Sequence, residues 1–219
     1  TLINYAGSSI TFDLGTCYLT GPYASLTLQA DDYFNNLTIG EASSKSTSTK
    51  LLNSELHVHG NLTIYSGTLM PNANTIHVGG HWANHGGSAH FQEGTSTVIF
   101  EGTNGADIET EETFFNLTLD KTYSSYDGLE INDSISVLND LHIVDGTLEM
   151  NYPSVLKVGG DLTIQANAGL NANDFSGARI YVGDDFDNLN ATVSTLIGFS
   201  AGQSRLIMDG SLMQYIRCT

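Results

Sequence analysis

The segment Leu56–Leu69, LHVHGNLTIYSGTL, returns about 80 positions later as VLNDLHIVDGTL at Val137–Leu148. Each copy is followed by Val-Gly-Gly, at Val78–Gly80 and at Val158–Gly160. The approach matches too, with Phe34-Asn35-Asn36-Leu37-Thr38-Ile39 against Phe114-Phe115-Asn116-Leu117-Thr118-Leu119. Smaller echoes lie inside the repeat. Leu56-His57-Val58-His59-Gly60 resembles Ile76-His77-Val78-Gly79-Gly80, and Gly60-Asn61-Leu62-Thr63-Ile64 resembles Gly160-Asp161-Leu162-Thr163-Ile164. A short period of roughly 20–24 residues, built from brief strands and Gly/Asn/Asp corners, is the length of one coil of a β-solenoid.

Strand signals are dense and helix signals absent. Leu37-Thr38-Ile39, Leu62-Thr63-Ile64, Leu117-Thr118-Leu119 and Leu162-Thr163-Ile164 share one apolar–polar–apolar pattern, as does Leu26-Thr27-Leu28. Such alternation sends Leu and Ile into a core and Thr outward. The 23 Gly supply corners, and only 3 Pro interrupt strand pairing. Ser96–Gly102 also corresponds to Ser204–Gly210, at a longer spacing that implies one extra coil in the second copy. The expected fold is therefore all-β, a β-solenoid of about 8–10 coils with no capping helix. Residues 1–219 form a single domain: an apolar N-terminal assembly segment at 1–33, a first repeat at 34–113, and a second repeat at 114–219. Segment 41–50 reads as an exposed Ser/Thr/Lys loop, 103–113 as an acidic junction, and 165–175 as a polar excursion.

Charge narrows the partners. Seven basic residues stand against 24 acidic ones, for a net charge of −17. Nucleic acid is a poor partner for such a chain, because phosphate binding needs Lys and Arg. No stretch has the ~18 apolar residues of a membrane span. The chain starts at Thr1 rather than Met, which favours processing after secretion.

At Gly80-His81-Trp82-Ala83-Asn84-His85-Gly86, then Phe91 and Thr97-Val98-Ile99-Phe100-Glu101-Gly102, the sequence resembles repeat-rich secreted surface proteins of bacteria. These carry G-x-W-x-N-x-G, then F, then T-V-x-F-x-G. Residues 34–102 hold the whole pattern. Residues 114–210 hold it loosely, with Phe186 and Asn188 replacing the Trp and Asn. The resemblance implies a β-helical, extracellular, structural or adhesive protein, and it carries over no catalytic residues.

Six of the seven His fall between positions 57 and 90. Alternation turns His57, His59 and His77 outward, and one coil separates His57 from His77, so their rings are expected to stack about 4.8 Å apart. His57, His59 and His77 are candidate ligands for Zn²⁺ or Cu²⁺, set against ordinary exposed strand positions. Asp184, Asp185 and Asp187 are a candidate for peripheral Ca²⁺, set against a solvated turn. No other cofactor is expected. The acidic clusters suit a carbohydrate-active β-helix poorly, since they sit at corners and few cations are present to grip an acidic sugar; the chain is not expected to be an enzyme. The outward Thr could form a ladder of the kind that binds ice, or be plain strand formers. Asn36, Asn61, Asn116, Asn132 and Asn190 each open an N-x-S/T sequon and are glycosylation candidates, although Asn also suits corner geometry.

The ends are unusual. Residues 1–30 contain one charge, Asp13, and the C-terminal stretch is rich in Leu, Ile, Met and Tyr. Cys17 and Cys218 lie near opposite ends, roughly 40 Å apart along a monotonic coil and beyond reach of one another. A bridge between subunits, two free thiols, or a folded-back terminus remain open. The favoured function is a structural subunit of an extracellular filament or sheath. It stacks head to tail through open solenoid ends that include Cys17, Leu212, Tyr215, Ile216 and Cys218. A β-helical module of a larger cell-surface adhesin is the alternative, and a carbohydrate-active β-helix enzyme the second. The expected partner is the chain itself, with glycans as a further possibility.

Overall fold

A computed structural model describes residues 2–3, 11–20, 23–28, 32–43, 49–122, 128–151, 154–172, 177–190, 198–200 and 204–218. All the strand pairings among them are parallel, and they wind into a β-solenoid with three faces. On the first face one inward position per coil is in register with the next: Phe12, Phe34, Val58, Val78, Phe100, Leu119, Ile143, Ile164, Asn188 and Cys218. Seven turns run from Phe34 to Asn188, and a further rung lies beyond each. These ten rungs match the coil number expected from the period.

The second face stacks Cys17, Leu37, Leu62, Trp82, Ile108, Ile131 and Met150. The third is in two parts. Strands Leu2–Ile3, Tyr23–Thr27, Thr49–Leu52 and Thr68–Met70 form one sheet, and five strands from Glu112–Phe114 to Arg205–Met208 form the other. Between them stand the 3₁₀ turn Ser88–His90 and a single bridge from Leu69 to Phe91. Among the described residues no helix caps either end, and none is long and apolar enough to cross a membrane.

The apolar–polar–apolar tripeptides explain the core. Leu37, Ile39, Leu62, Ile64, Leu117, Leu162 and Ile164 are all buried in one cluster that spans the coils. Each such side chain contributes roughly 1.5–3 kcal/mol by leaving water. Thr63, Thr118 and Thr163 are half-exposed as expected, whereas Thr38 is covered.

The copies do not stack face on face. Leu37–Ile39 and Leu62–Ile64 lie on the second face, but their counterparts Leu117–Leu119 and Leu162–Ile164 lie on the first. Phe34 is on the first face and its counterpart Phe114 on the third. The second copy is thus rotated one face back. From Phe34 to Phe100 the coil advances three turns, and from Phe114 to Met208 it advances four. The rotation also breaks any Thr ladder: Thr118 and Thr163 are separated by His142, and Thr38 and Thr63 give way to Ala83.

The corners account for the Gly-Asn and Gly-Asp motifs. Asn36 Oδ1 accepts the Asn61 backbone N–H at 2.8 Å, and Asn61 Oδ1 accepts that of His81 at 3.0 Å. In the second copy Asp140, Asp161 and Asp185 accept the N–H groups of Asp161, Asp185 and Tyr215, each at 2.9 Å. Every side chain thereby satisfies a backbone donor of the coil above, which the turn would leave unpaired. The preceding Gly makes room: a Cβ on Gly80 would stand 2.3 Å from Asn61 Oδ1, and one on Gly160 2.3 Å from Asp140 Oδ1.

Three sequence expectations are corrected. Segment 41–50 is not wholly loop. Residues 44–48 lie outside the described set, but Thr49–Leu52 is a strand with Lys50 buried. Nor is 165–175 simply a polar excursion: Leu162–Asn171 is one strand, with Ala168, Leu170 and Ala172 buried. The acidic junction 103–113 is also built into the coil. It contains the strands Ala106–Ile108 and Glu112–Phe114, and Glu112 is buried.

Candidate functional site

Three regions carry chemistry: a histidine patch on the first face, a buried polar knot, and the two ends.

On the histidine patch the strands Leu56–Val58 and Thr75–Val78 pair in register, with His57 opposite His77. Their rings stack with centroids 4.3 Å apart and planes within 14°. Glu55, just before the first of these strands, brings its carboxylate to 3.7 Å from His57 Nε2. One ligand atom from each of Glu55, His57 and His77 lies within 4.8 Å of the others. On the next coil Glu101 Oε2 stands 2.9 Å from His77 Nδ1. Burial, and then the neighbouring His77, push the His57 imidazolium down. The Glu101 hydrogen bond holds His77 up, and the same bond holds the Glu101 carboxyl down.

His59 does not join this group. It stacks on Tyr33 with centroids 4.2 Å apart, because Gly60 turns the corner directly after it. The remaining patch members have separate partners. His85 stacks on Tyr65, His90 Nδ1 meets Gly67 O, and His81 Nδ1 lies 3.1 Å from Asp107 Oδ2 without hydrogen-bond alignment. Sequence reasoning placed His57 with His77 and missed Glu55 and Glu101. Glu55 is two residues from His57 and could have been found by alternation; Glu101 is 24 positions from His77 and is legible only once the coils are in register.

The Trp and Asn of the G-x-W-x-N-x-G stretch are structural here. Trp82 Nε1 donates to Glu112 Oε2 at 3.0 Å, and Asn84 Nδ2 donates to the same oxygen at 2.8 Å. Thr113 N donates to Oε1 at 3.0 Å. Burial outweighs these three donors and pushes the Glu112 carboxyl up to about 7. Phe91 and Phe114 meet Trp82 edge to face at centroid distances of 4.8 and 5.3 Å and lie tilted to each other at 6.0 Å, closing round this knot. The knot plugs the core where the third face lacks a strand. In the second copy Phe186 and Phe199 make a smaller contact.

At the C-terminal end Arg217 reaches Asp187 and Asp185 at 2.5 and 3.2 Å. Of the candidate Ca²⁺ residues Asp184, Asp185 and Asp187, the last two are paired with the Arg217 guanidinium. Asp161, Asp184 and Asp185 also lie close together, and Asp161 and Asp185 are hydrogen-bond acceptors of the corner.

Cys17 is half-buried on the second face, Cys218 is exposed at the far end of the first, and both are free thiols. Leu212, Met213, Tyr215 and Ile216 are exposed at 80, 75, 51 and 58%. At the N-terminal end Leu14 and Tyr18 are exposed at 89 and 62%. Residues 1, 4–10, 21–22 and 29–31 of the N-terminal segment lie outside the described set, as does Thr219. Among the described residues, no strand pairs with the outer edge of Ile216–Cys218.

Of the sequon residues, Asn190 is buried and its amide nitrogen donates to Gln165 O and Ala168 O, which leaves no room for a glycan there. Asn36 and Asn116 are half-buried corner acceptors; Asn61 and Asn132 are exposed. No family model, no curated protein and no solved structure matches this chain.

Proposed function

We propose that this solenoid is a structural subunit of an extracellular filament or sheath, continued end to end by further copies of itself. The observation that carries the reading is the C-terminal coil. It joins the open strand edge Ile216–Cys218 to four exposed apolar side chains, Leu212, Met213, Tyr215 and Ile216. An open edge of this kind accepts another strand by main-chain hydrogen bonds, and neighbouring exposed apolar side chains mark a surface suited to being covered. A heterologous contact whose rotation does not close generates a fibre. The N-terminal coil offers the complementary edge, Thr11–Leu19, beside Leu14 and Tyr18. Cys17 and Cys218 lie on these two end coils but on different faces, so a disulfide between copies requires one copy to be rotated by a face relative to the next.

The same edge suits a second reading, a β-helical module of a larger surface adhesin whose neighbouring coils belong to the same polypeptide. The Trp82–Asn84–Phe91 motif and its resemblance to bacterial surface repeats favour it. Extracellular placement belongs to both readings.

Sedimentation and electron microscopy of the purified chain separate them. Stacking predicts concentration-dependent rods, and Ile216→Lys with Tyr215→Asp dissolves them to monomers while the circular dichroism spectrum stays β-rich. A monodisperse monomer at high concentration removes the filament reading and leaves the module.

A further inference from the structure

We propose that Glu55, His57 and His77 bind one divalent transition-metal ion of the zinc class across two adjacent coils, with Glu101 orienting the His77 ring from a third.

The donor set fits such an ion. Imidazole nitrogen and carboxylate oxygen are borderline ligands that suit Zn²⁺, Cu²⁺, Co²⁺ and Ni²⁺ and suit Ca²⁺ poorly. The strand register brings the two rings together, since in-register residues on parallel strands face the same side. Glu101 accepts from His77 Nδ1 at 2.9 Å, which places the proton on Nδ1 and leaves the Nε2 lone pair for a metal. A carboxylate behind a ligating His is the usual partner that fixes tautomer and ring angle.

The ligand atoms already lie within 4.8 Å of one another. A tetrahedral site with bonds of about 2.0–2.1 Å needs them roughly 3.3 Å apart. Glu55 is exposed and both His are half-exposed, so modest side-chain rotation closes that gap without moving the core. Three protein ligands leave a fourth position for water or an outside donor. The neighbouring His59 is held on Tyr33, and His81 stands beside Asp107, so neither is a ligand.

The test is equilibrium dialysis of the whole chain against Zn²⁺, with Co²⁺ as a spectroscopic probe. The expected result is one ion per chain, a Co²⁺ visible spectrum of low-coordinate N/O type, and a melting temperature raised by Zn²⁺ and restored by chelator. His57→Ala and His77→Ala each weaken binding at least tenfold, Glu101→Gln weakens it about tenfold to a hundredfold, and His59→Ala leaves it unchanged. All four positions are on the outer surface, so the variants keep the β-rich spectrum. Retention of affinity in the His57→Ala, His77→Ala double variant overturns the site, as does equal melting with Zn²⁺ and with chelator. Failure of the metal test leaves the stacking of end coils untouched, since the patch and the ends share no residue.

Discussion

One corner of the solenoid is held by amides in its first half, and a different corner is held mainly by carboxylates in its second. Asn36 and Asn61 pass hydrogen bonds upward between the first and second faces. Asp140, Asp161 and Asp185 do so between the third and first faces. Both sets accept the backbone N–H of the next coil at nearly the same distance, so the geometry is set by the acceptor oxygen and is indifferent to its charge. What differs is the surroundings. The Asn corners border the histidine patch, while the Asp corners stack carboxylate over carboxylate and end under Arg217. The lesson is that each corner requires an Asx acceptor, preceded by Gly at Asn61 and Asp161 but not at Asn36, Asp140 or Asp185, and that charge is free to be used for something else.

The largest expected difference between the halves lies in their aromatic plugs. Trp82 packs on two rings and also anchors Glu112, whereas Phe186 meets Phe199 near the end. Trp82→Ala should cost about 3–5 kcal/mol and lower the melting temperature of the whole molecule. Phe186→Ala should speed hydrogen exchange mainly beyond residue 182, because end coils open locally. Equal, global effects from the two substitutions would show that the halves are one cooperative unit and that the plug is not special.

Glu112 gives a pH test of about the same size. Its carboxyl is raised from 4.5 to about 7 by burial, so the folded state holds a proton that the unfolded chain has released. The stability this contributes is full below about pH 4.5 and is lost as pH rises to about 7, on the order of 3 kcal/mol in all. Glu112→Gln should flatten that slope, while its amide nitrogen removes one of the two acceptor oxygens and lowers stability at low pH. Parallel slopes for the two proteins between pH 5 and 8 would place the titration elsewhere.

Much of this was legible in the sequence. Leu62-Thr63-Ile64 and its echoes gave the in–out alternation, and the interval from His57 to His77 gave one coil and hence the ring stack. What alternation could not give is the face. Each of the three faces is built from short strands of alternating burial, so Leu117–Leu119 fits the first face as well as its counterpart Leu37–Ile39 fits the second. Of the five Thr that allowed a ladder, only Thr38 and Thr63 stack in register. Glu112 was hidden for another reason. Its run of acidic neighbours resembles a solvated turn, and only the register brings Trp82 and Asn84, some 30 residues earlier, onto its oxygen. His59 was misassigned because alternation fixes the side a residue faces, and does not reveal that Tyr33 is already there.

The smallest effect is also the one that separates the two corner types most cleanly. In Asp161→Asn the acceptor for the Asp185 N–H is kept, and a negative charge one coil from Asp140 and Asp185 is removed. Like charges about 5 Å apart near a wet surface repel by roughly 1 kcal/mol, and added salt screens them. Asp161→Asn should therefore raise stability by up to about 1 kcal/mol at low salt and by almost nothing at 1 M NaCl. The reciprocal change, Asn61→Asp, has Asn36 below it and no carboxylate in its ladder, so it should alter stability by less at either salt concentration. Asp161→Ala provides the reference: it leaves the Asp185 N–H without its acceptor and should cost about 1–2 kcal/mol whatever the salt. If Asp161→Asn were as damaging as Asp161→Ala, the carboxylate itself would be required at that corner. The Asp stack would then be a charged element in its own right rather than a variant of the Asn ladder.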